Sequence, residues 1–496
     1  MLIGLGRMYG AAMTLGGGSP DTLASPVSPD VVACTVTDAM WDGSSGDRCF
    51  LPAIDPEQLD EFKFENYPHP VSRVRHPAHL AMQDPEWLED YKKAIAIMKS
   101  LPLSDPRSFM QQARVHCAYC DGAYPMLGHP DERLLVHASW LFASFHRWYL
   151  FFFERIMGKN WDHPDGMRIL DMFKDINSPL YDPNRNVKHL DKIIDLSYHV
   201  PKDNPDFEHN NPDDRQIQEN LLLMRKQMLY STKPQLFFGA AYRAEDKADP
   251  NSGAGALELA PHNAIHLWTG SSSPGHGCLL VCRTGLNLLL LWNVWRNDLP
   301  GRSRTDLTDP DYLNASFILF HENAKPVRVL VKDSFNTEKL GYKYEQQDLP
   351  WLFKKISRPT KPTITETTVS FPKKLDSVIT TKVVRPQKEC LKDFIKFDVF
   401  VNDDHDHQPD EKTEVKPQYA GSFTSLTHKS SGGPVAKIVD GVMGSIKPRK
   451  NALWLALSNL LEDIGASDDE AIQVTVVPRS GTESVVITNV SIQFVA

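Results

Sequence analysis

The sequence predicts a mainly α domain with irregular loops, followed by a mainly β domain. Three observations carry this. Long apolar patterns with helical spacing fill residues 76–300. Beyond residue 376 the spacing changes to two-residue alternation of β-branched residues. Between them, residues 346–375 gather Lys354, Lys355, Arg358, Lys361, Lys373 and Lys374 among Pro and Thr, the composition of an exposed linker. A chain of 496 residues suits several domains and can bury a large core.

In chain order, residues 1–75 are rich in Gly, Pro, Ser and Asp and read as an N-terminal arm packed on the core. The first, mainly helical domain spans 76–345. Residues 87–101 read as a helix, and 111–124 form a separate element. Residues 140–157 are apolar almost all round, so they predict a buried helix. The polar stretch 158–215 reads as loops, and 216–231 as an amphipathic helix. In the last domain, 376–496, strands are expected at 397–401, 471–477 and 484–495, joined into a sandwich.

Composition excludes several function classes. Apolar residues make up 41% and charged residues 24%, and the net charge is -9, so there is no basic footprint for nucleic acid. No run of about 20 uncharged apolar residues predicts an integral membrane span. The first 18 residues are Gly-rich, are interrupted by Arg7, and lack the Arg- and Ser-rich lead of a transit peptide. The seven Cys (34, 49, 117, 120, 278, 282 and 390) cannot all pair within one chain. Cys117-Ala-Tyr-Cys120 is a CxxC with no second ligand pair at zinc spacing.

Two histidine groups stand out. His262 and His266 are four residues apart after Pro261, which suits a helix start, so both imidazoles share one face and can hold one metal. The other group is His116, His137 and His146. His146 lies within the apolar helix, where an imidazole needs a partner. Nine residues advance about 900°, so His137 reaches the same metal only from before the helix or from a break. Five imidazoles without a carboxylate cluster suit copper, zinc, nickel or iron, and spacing alone leaves these open.

The residues around these histidines are more specific. Val115-His-Cys-Ala-Tyr-Cys-Asp-Gly-Ala-Tyr124, His137-Ala-Ser-Trp-Leu-Phe-Ala-Ser-Phe-His-Arg147 and Pro261-His-Asn-Ala-Ile-His-Leu-Trp-Thr-Gly270 closely resemble plant polyphenol oxidases, the catechol oxidase and tyrosinase family. Leu340-Gly-Tyr-Lys-Tyr344 resembles the family's tyrosine motif, Asp348-Leu-Pro-Trp-Leu352 its linker start, and Lys396-Phe-Asp-Val399 its C-terminal signature. The likeness spans nearly the whole chain.

The resemblance implies a four-helix bundle holding two copper ions, each with three His. By carry-over, His116, His137 and His146 hold copper A, and His262 and His266 are ligands of copper B. It also implies a thioether from Cys120 to His137, a disulfide between Cys49 and Cys117, a water-holding Glu258, and an Asn263 of the kind associated with action on monophenols. Catechols would be oxidised to o-quinones by dioxygen. The C-terminal domain would shield the site until a protease cuts the linker, and the protein would reside in the plastid, in the thylakoid lumen.

The sequence departs from this pattern after Gly270. Aligning Trp292 with the family's motif Trp puts Thr284 and Gly285 where a His pair belongs, and the stretch is about ten residues short. That stretch would also carry the family's gating Phe. His276 sits in a Gly- and Pro-rich loop ahead of the expected ligand helix, and the Leu288–Leu291 run has the look of a frame error or of a real lesion. About a dozen family residues are absent between Lys159 and Trp161, and Phe50 stands in place of a Cys, so Cys34 lacks a partner. Copper B is thus one imidazole short. The competing expectation is a catalytically impaired or dead homologue. An oxygen carrier shares the copper chemistry but not the linker and Lys396-Phe-Asp-Val399 features.

Overall fold

The structure is a computed structural model. It describes residues 27–33, 51–52, 54–67, 73–75, 84–120, 122–158, 175–181, 185–199, 211–244, 253–270, 285–299, 308–346, 348–359, 373–374, 379–380, 395–408, 411–425, 453–469, 471–482, 485–487 and 490.

A mainly helical domain comes first. Helix α1 (Pro85–Ser100) starts where Asp84 caps the backbone N–H groups of Glu86 and Trp87. It buries Trp87, Tyr91, Ala94, Ile95 and Met98, one helical stripe. Helix α2 (Phe109–Cys120) is buried from Gln111 onward. Helix α3 (Leu141–Gly158) is the apolar segment read from the sequence, with Phe142, Phe145, Trp148 and Phe152 in the core. Helix α4 (Asp213–Arg225) runs on into a wider π-type turn, Lys226–Tyr230. Helices α5 (Asn263–Thr269) and α6 (Gly285–Asn297) complete the bundle around α2 and α3.

α6 is anchored by aromatic packing. The Arg147 guanidinium of α3 lies 3.5 Å over the Trp292 ring and donates to Asn293 Oδ1 at 3.1 Å. Trp295 stacks on Phe237 with centroids 4.4 Å apart. Strands β1 (Ser316–Phe320) and β2 (Pro326–Leu330) form an antiparallel pair, and Asp60–Glu61 of the N-terminal arm joins β2 in parallel. Arg73–Arg75 likewise pairs with Tyr342–Tyr344.

The C-terminal region holds β3 (Ile379–Thr380), β4 (Ile395–Val401), β5 (Tyr419–Ser425) and β6 (Val474–Ser480) in one antiparallel sheet, ordered β5-β4-β6-β3. A short helix, Ser458–Ile464, packs Leu460 and Ile464 beside it. The strand expected at 484–495 is described only at Val486–Ile487, which pairs with Lys373–Lys374. The stretch read as an exposed linker differs at its start. Pro350–Phe353 forms a 3-10 turn with Trp351 buried against the core, and Arg225 donates to the Leu352 carbonyl at 2.6 Å. An apolar motif overrides the basic composition around it. Among the described residues no helix is long and apolar enough to cross a membrane.

Candidate metal centre

His116 lies on α2 and His146 on α3, both buried. His137 lies ahead of α3, outside any helix, as the nine-residue spacing requires. The chain reaches it through Val136 N–H, which donates to the Tyr119 carbonyl. Ala138 then turns with φ 54°, a left-handed conformation that a non-Gly residue holds only when its surroundings enforce it. Here Ala138 N–H donates to both Glu258 oxygens at 3.0 and 2.9 Å, and its carbonyl accepts from Gly253 N–H.

Glu258 reaches this point because 253–257 lies tight against 237–239. A Cβ on Gly255 would stand 2.3 Å from the Phe237 carbonyl oxygen, so only glycine allows the approach. The backbone then breaks at Ala260 (φ -154°, ψ 128°) and turns into α5, leaving His262 and His266 on one face, as their spacing predicts.

The five imidazoles form one cluster. Nε2 of His116 is 3.2 Å from Nε2 of His146, and Nε2 of His262 is 3.1 Å from Nε2 of His266. Ring centroids of His137 and His146 lie 5.4 and 5.6 Å from that of His262. Three of the rings have Nδ1 held by an oxygen acceptor: His137 by Glu258 at 2.8 Å, His146 by the Phe142 carbonyl at 2.7 Å, and His262 by Asn263 Oδ1 at 2.9 Å. A hydrogen on each Nδ1 leaves the Nε2 lone pair facing inward. Burial, and then the neighbouring His137, push the His146 imidazole down to about 3. Burial, then His266, His137 and His146, hold His262 well below the usual histidine range. Both rings are therefore neutral donors at ordinary pH.

Cys120 Sγ is 3.1 Å from His137 Nε2 and 3.5 Å from His116 Nε2. Within this cluster, sets of three metal-type donors within 4.8 Å combine His116, Cys120 and His146, or His137, His146 and His262. His266 enters neither set. Cys117 is buried on α2, while Cys49, Cys34, Phe50, His276 and Thr284 lie outside the described residues. Gly285 is the first residue of α6.

Two contacts were not read from the sequence. Phe142 sets its ring edge-on to His262, centroids 4.7 Å apart, and also lies 4.4 Å from His146. Its place four residues before His146 was an available signal. The other is Thr424 of β5, whose carbonyl accepts from Asn263 Nδ2 at 2.7 Å. No sequence spacing announces that contact. It fixes the Asn263 amide so that its oxygen faces His262.

Comparison with known proteins identifies the family. The "Common central domain of tyrosinase" matches residues 106–169, the "Polyphenol oxidase middle domain" 306–357, and the "Chloroplastic Polyphenol Oxidase C-terminal domain" 390–494. A chloroplastic polyphenol oxidase of Spinacia oleracea is 48% identical over 99% of this chain and 88% of its own length. A (+)-larreatricin hydroxylase of Larrea tridentata is 37% identical over 100% of the chain and 90% of its own. Among solved structures, a latent aurone synthase superposes with TM-score 0.77 at 30% identity over 94% of this chain and 98% of that one. Latent apple tyrosinase does so with TM-score 0.71 at 34% identity over 85% and 97%. On this similarity from end to end, the chain belongs to the plant polyphenol oxidase family of tyrosinase-type oxidoreductases.

Proposed function

We propose that the protein oxidises o-diphenols to o-quinones with dioxygen, with His116, His137 and His146 holding one copper ion and His262 and His266 contributing to a second. One observation carries the reading: five clustered imidazoles, three with Nδ1 engaged by an oxygen, turn Nε2 inward. That donor chemistry fits copper, and oxygen acceptors on Nδ1 orient metal-bound histidines. Bound copper would supply the two-electron redox chemistry with dioxygen.

The protein's own residues orient and screen. Glu258 holds His137 and keeps a carboxylate at the rim of the cluster, the place for a water-holding and proton-accepting group. Cys120 stands where a thioether to His137 would lock that ring. Cys117 would pair with Cys49. Asn263 sets the His262 ring through its amide oxygen. β5 caps the cluster from the C-terminal domain through Thr424, which supports a latent form opened by a protease acting in 346–375. The chloroplastic relatives support a plastid location, and within it the resemblance implies the thylakoid lumen.

A second reading, an impaired homologue, rests on His266 entering no three-donor set among the described residues. A copper held by two imidazoles is weakly bound. Copper counting and quinone formation from 4-methylcatechol after proteolytic activation decide between them. We expect about one firmly held copper per chain and slow turnover. Close to two coppers with brisk turnover would remove the impaired reading, and no copper at all would overturn both.

A further inference from the structure

The connection between β4 and β5 carries a second set of metal-type donors, far in sequence from the central cluster: His405, His407 and Glu411. Their ligating atoms lie within 4.8 Å of one another. His407 is buried and stacks on Phe400, centroids 4.1 Å apart. Its Nε2 lies 2.8 Å from Asp403 Oδ2, which also receives Lys416 Nζ at 2.8 Å. An imidazole lone pair this close to a carboxylate oxygen would be repelled, so Nε2 carries the hydrogen and Nδ1 of the neutral ring presents its lone pair.

That lone pair points at another electron-rich group. Nδ1 of His407 is 3.2 Å from Glu411 Oε1. Nε2 of His405 converges on the same carboxylate, 3.2 Å from Oε1. A neutral imidazole facing a carboxylate through its lone pair is repelled unless a proton or a cation lies between them. A proton on His407 would satisfy one contact. A cation satisfies both imidazoles and the carboxylate together, and Asp403 behind His407 is the outer-shell carboxylate that aligns a metal-bound histidine.

We propose that His405, His407 and Glu411 form a divalent transition-metal site of the zinc class. Two imidazoles and one carboxylate suit zinc or copper(II) and disfavour calcium and magnesium, which prefer all-oxygen ligation. The half-exposed His405 leaves room for water in a fourth position.

The site has a mechanical consequence. Glu411 opens the segment by which the C-terminal domain grips the first domain. Its carbonyl accepts from Arg479 at 2.9 Å, Lys412 pairs with Glu219 at 2.8 Å, and the Thr413 carbonyl accepts from Ser197 Oγ. A bound metal would tie the end of β4 to this segment and tighten docking over the histidine cluster.

The test uses the full chain with copper already in the central cluster. It is equilibrated with zinc, and the metals are counted. The wild type should take up one equivalent of zinc beyond the amount bound by His405→Ala and Glu411→Gln. Zinc should raise its melting temperature but leave those of the variants unchanged. Asp403→Asn should weaken the site about 10- to 100-fold. His405 is half exposed, so His405→Ala keeps the fold, which circular dichroism checks. Equal zinc uptake and affinity in wild type and both variants would overturn the proposal. So would no extra zinc in the wild type.

Discussion

Replacing Glu258 by alanine tests whether this carboxylate sets the central cluster or merely borders it. Glu258 is buried and accepts from His137 Nδ1 at 2.8 Å and from Ala138 N–H at 3.0 and 2.9 Å. Alanine leaves two buried donors unmatched, each at about 1–3 kcal/mol, so the apo protein should lose roughly 2–6 kcal/mol. Losing the outer acceptor of a metal-binding histidine weakens the metal by a further 10- to 100-fold or so, about 1.4–2.7 kcal/mol. Glu258→Gln keeps one carbonyl acceptor and should fall between. Apo melting gives the first quantity, and competition for copper against a graded chelator gives the second. A purely structural role would lower the melting temperature and leave the chelator midpoint in place. The reasoning is refuted if Glu258→Ala holds copper within twofold of wild type while folding normally.

Three further outcomes are expected. Restoring imidazoles with Thr284→His and Gly285→His should raise bound copper from about one to about two per chain and speed catechol turnover at least tenfold, and unchanged copper content would show that the register after Gly270 is misassigned. Burial presses Lys226 from 10.5 down to about 7, with Asp463 pulling it back up; the folded value is the lower one, so the unfolded chain holds the extra proton between about 7 and 10.5, and stability rises with pH across that window. Wild type should therefore gain on Lys226→Met from pH 7 to pH 10 in paired melting curves, and parallel curves would refute the assignment. Arg479→Met should cost about 3–5 kcal/mol in urea unfolding of the C-terminal domain, because Asp398 is then buried without its cation, and a loss under 1 kcal/mol would refute it.

The parts legible in the sequence are those with a local cause. α3 was readable because an all-round apolar segment has nowhere to go but the core, and His262 with His266 because a four-residue step returns to one face. The need for a break before α3 followed from His137 alone, though not the left-handed Ala138 that makes it. Tertiary choices were not legible. Trp351 is pulled into the core from a basic stretch, and Lys226 is buried although a lysine ordinarily keeps its ammonium in water. The acceptor for Asn263 comes from a strand 161 residues away. No periodicity encodes such a distance.

The Lys396-Phe-Asp-Val399 signature shows what such long-range pairing does for function. Alternation on β4 sends Lys396 and Asp398 to one face and Phe397 and Val399 to the other. The second pair is apolar packing: Phe397 stacks on Phe423 at 5.1 Å, and Val399 meets Val476. The first pair faces the helical domain. Lys396 Nζ donates to the carbonyls of Ser197 and Tyr198, and Asp398 gathers Arg479 at 2.6 Å, Thr413 at 2.6 Å and Ser422 at 2.5 Å. Ser422 and Thr424 lie two residues apart on β5, so the strand held by Asp398 is the strand that reaches Asn263 beside His262. A buried ion pair adds little net stability, since desolvation offsets most of its attraction. What it does supply here is register. It fixes which β5 residue meets the histidine cluster, and a slip of one residue would take the Thr424 carbonyl away from the Asn263 amide.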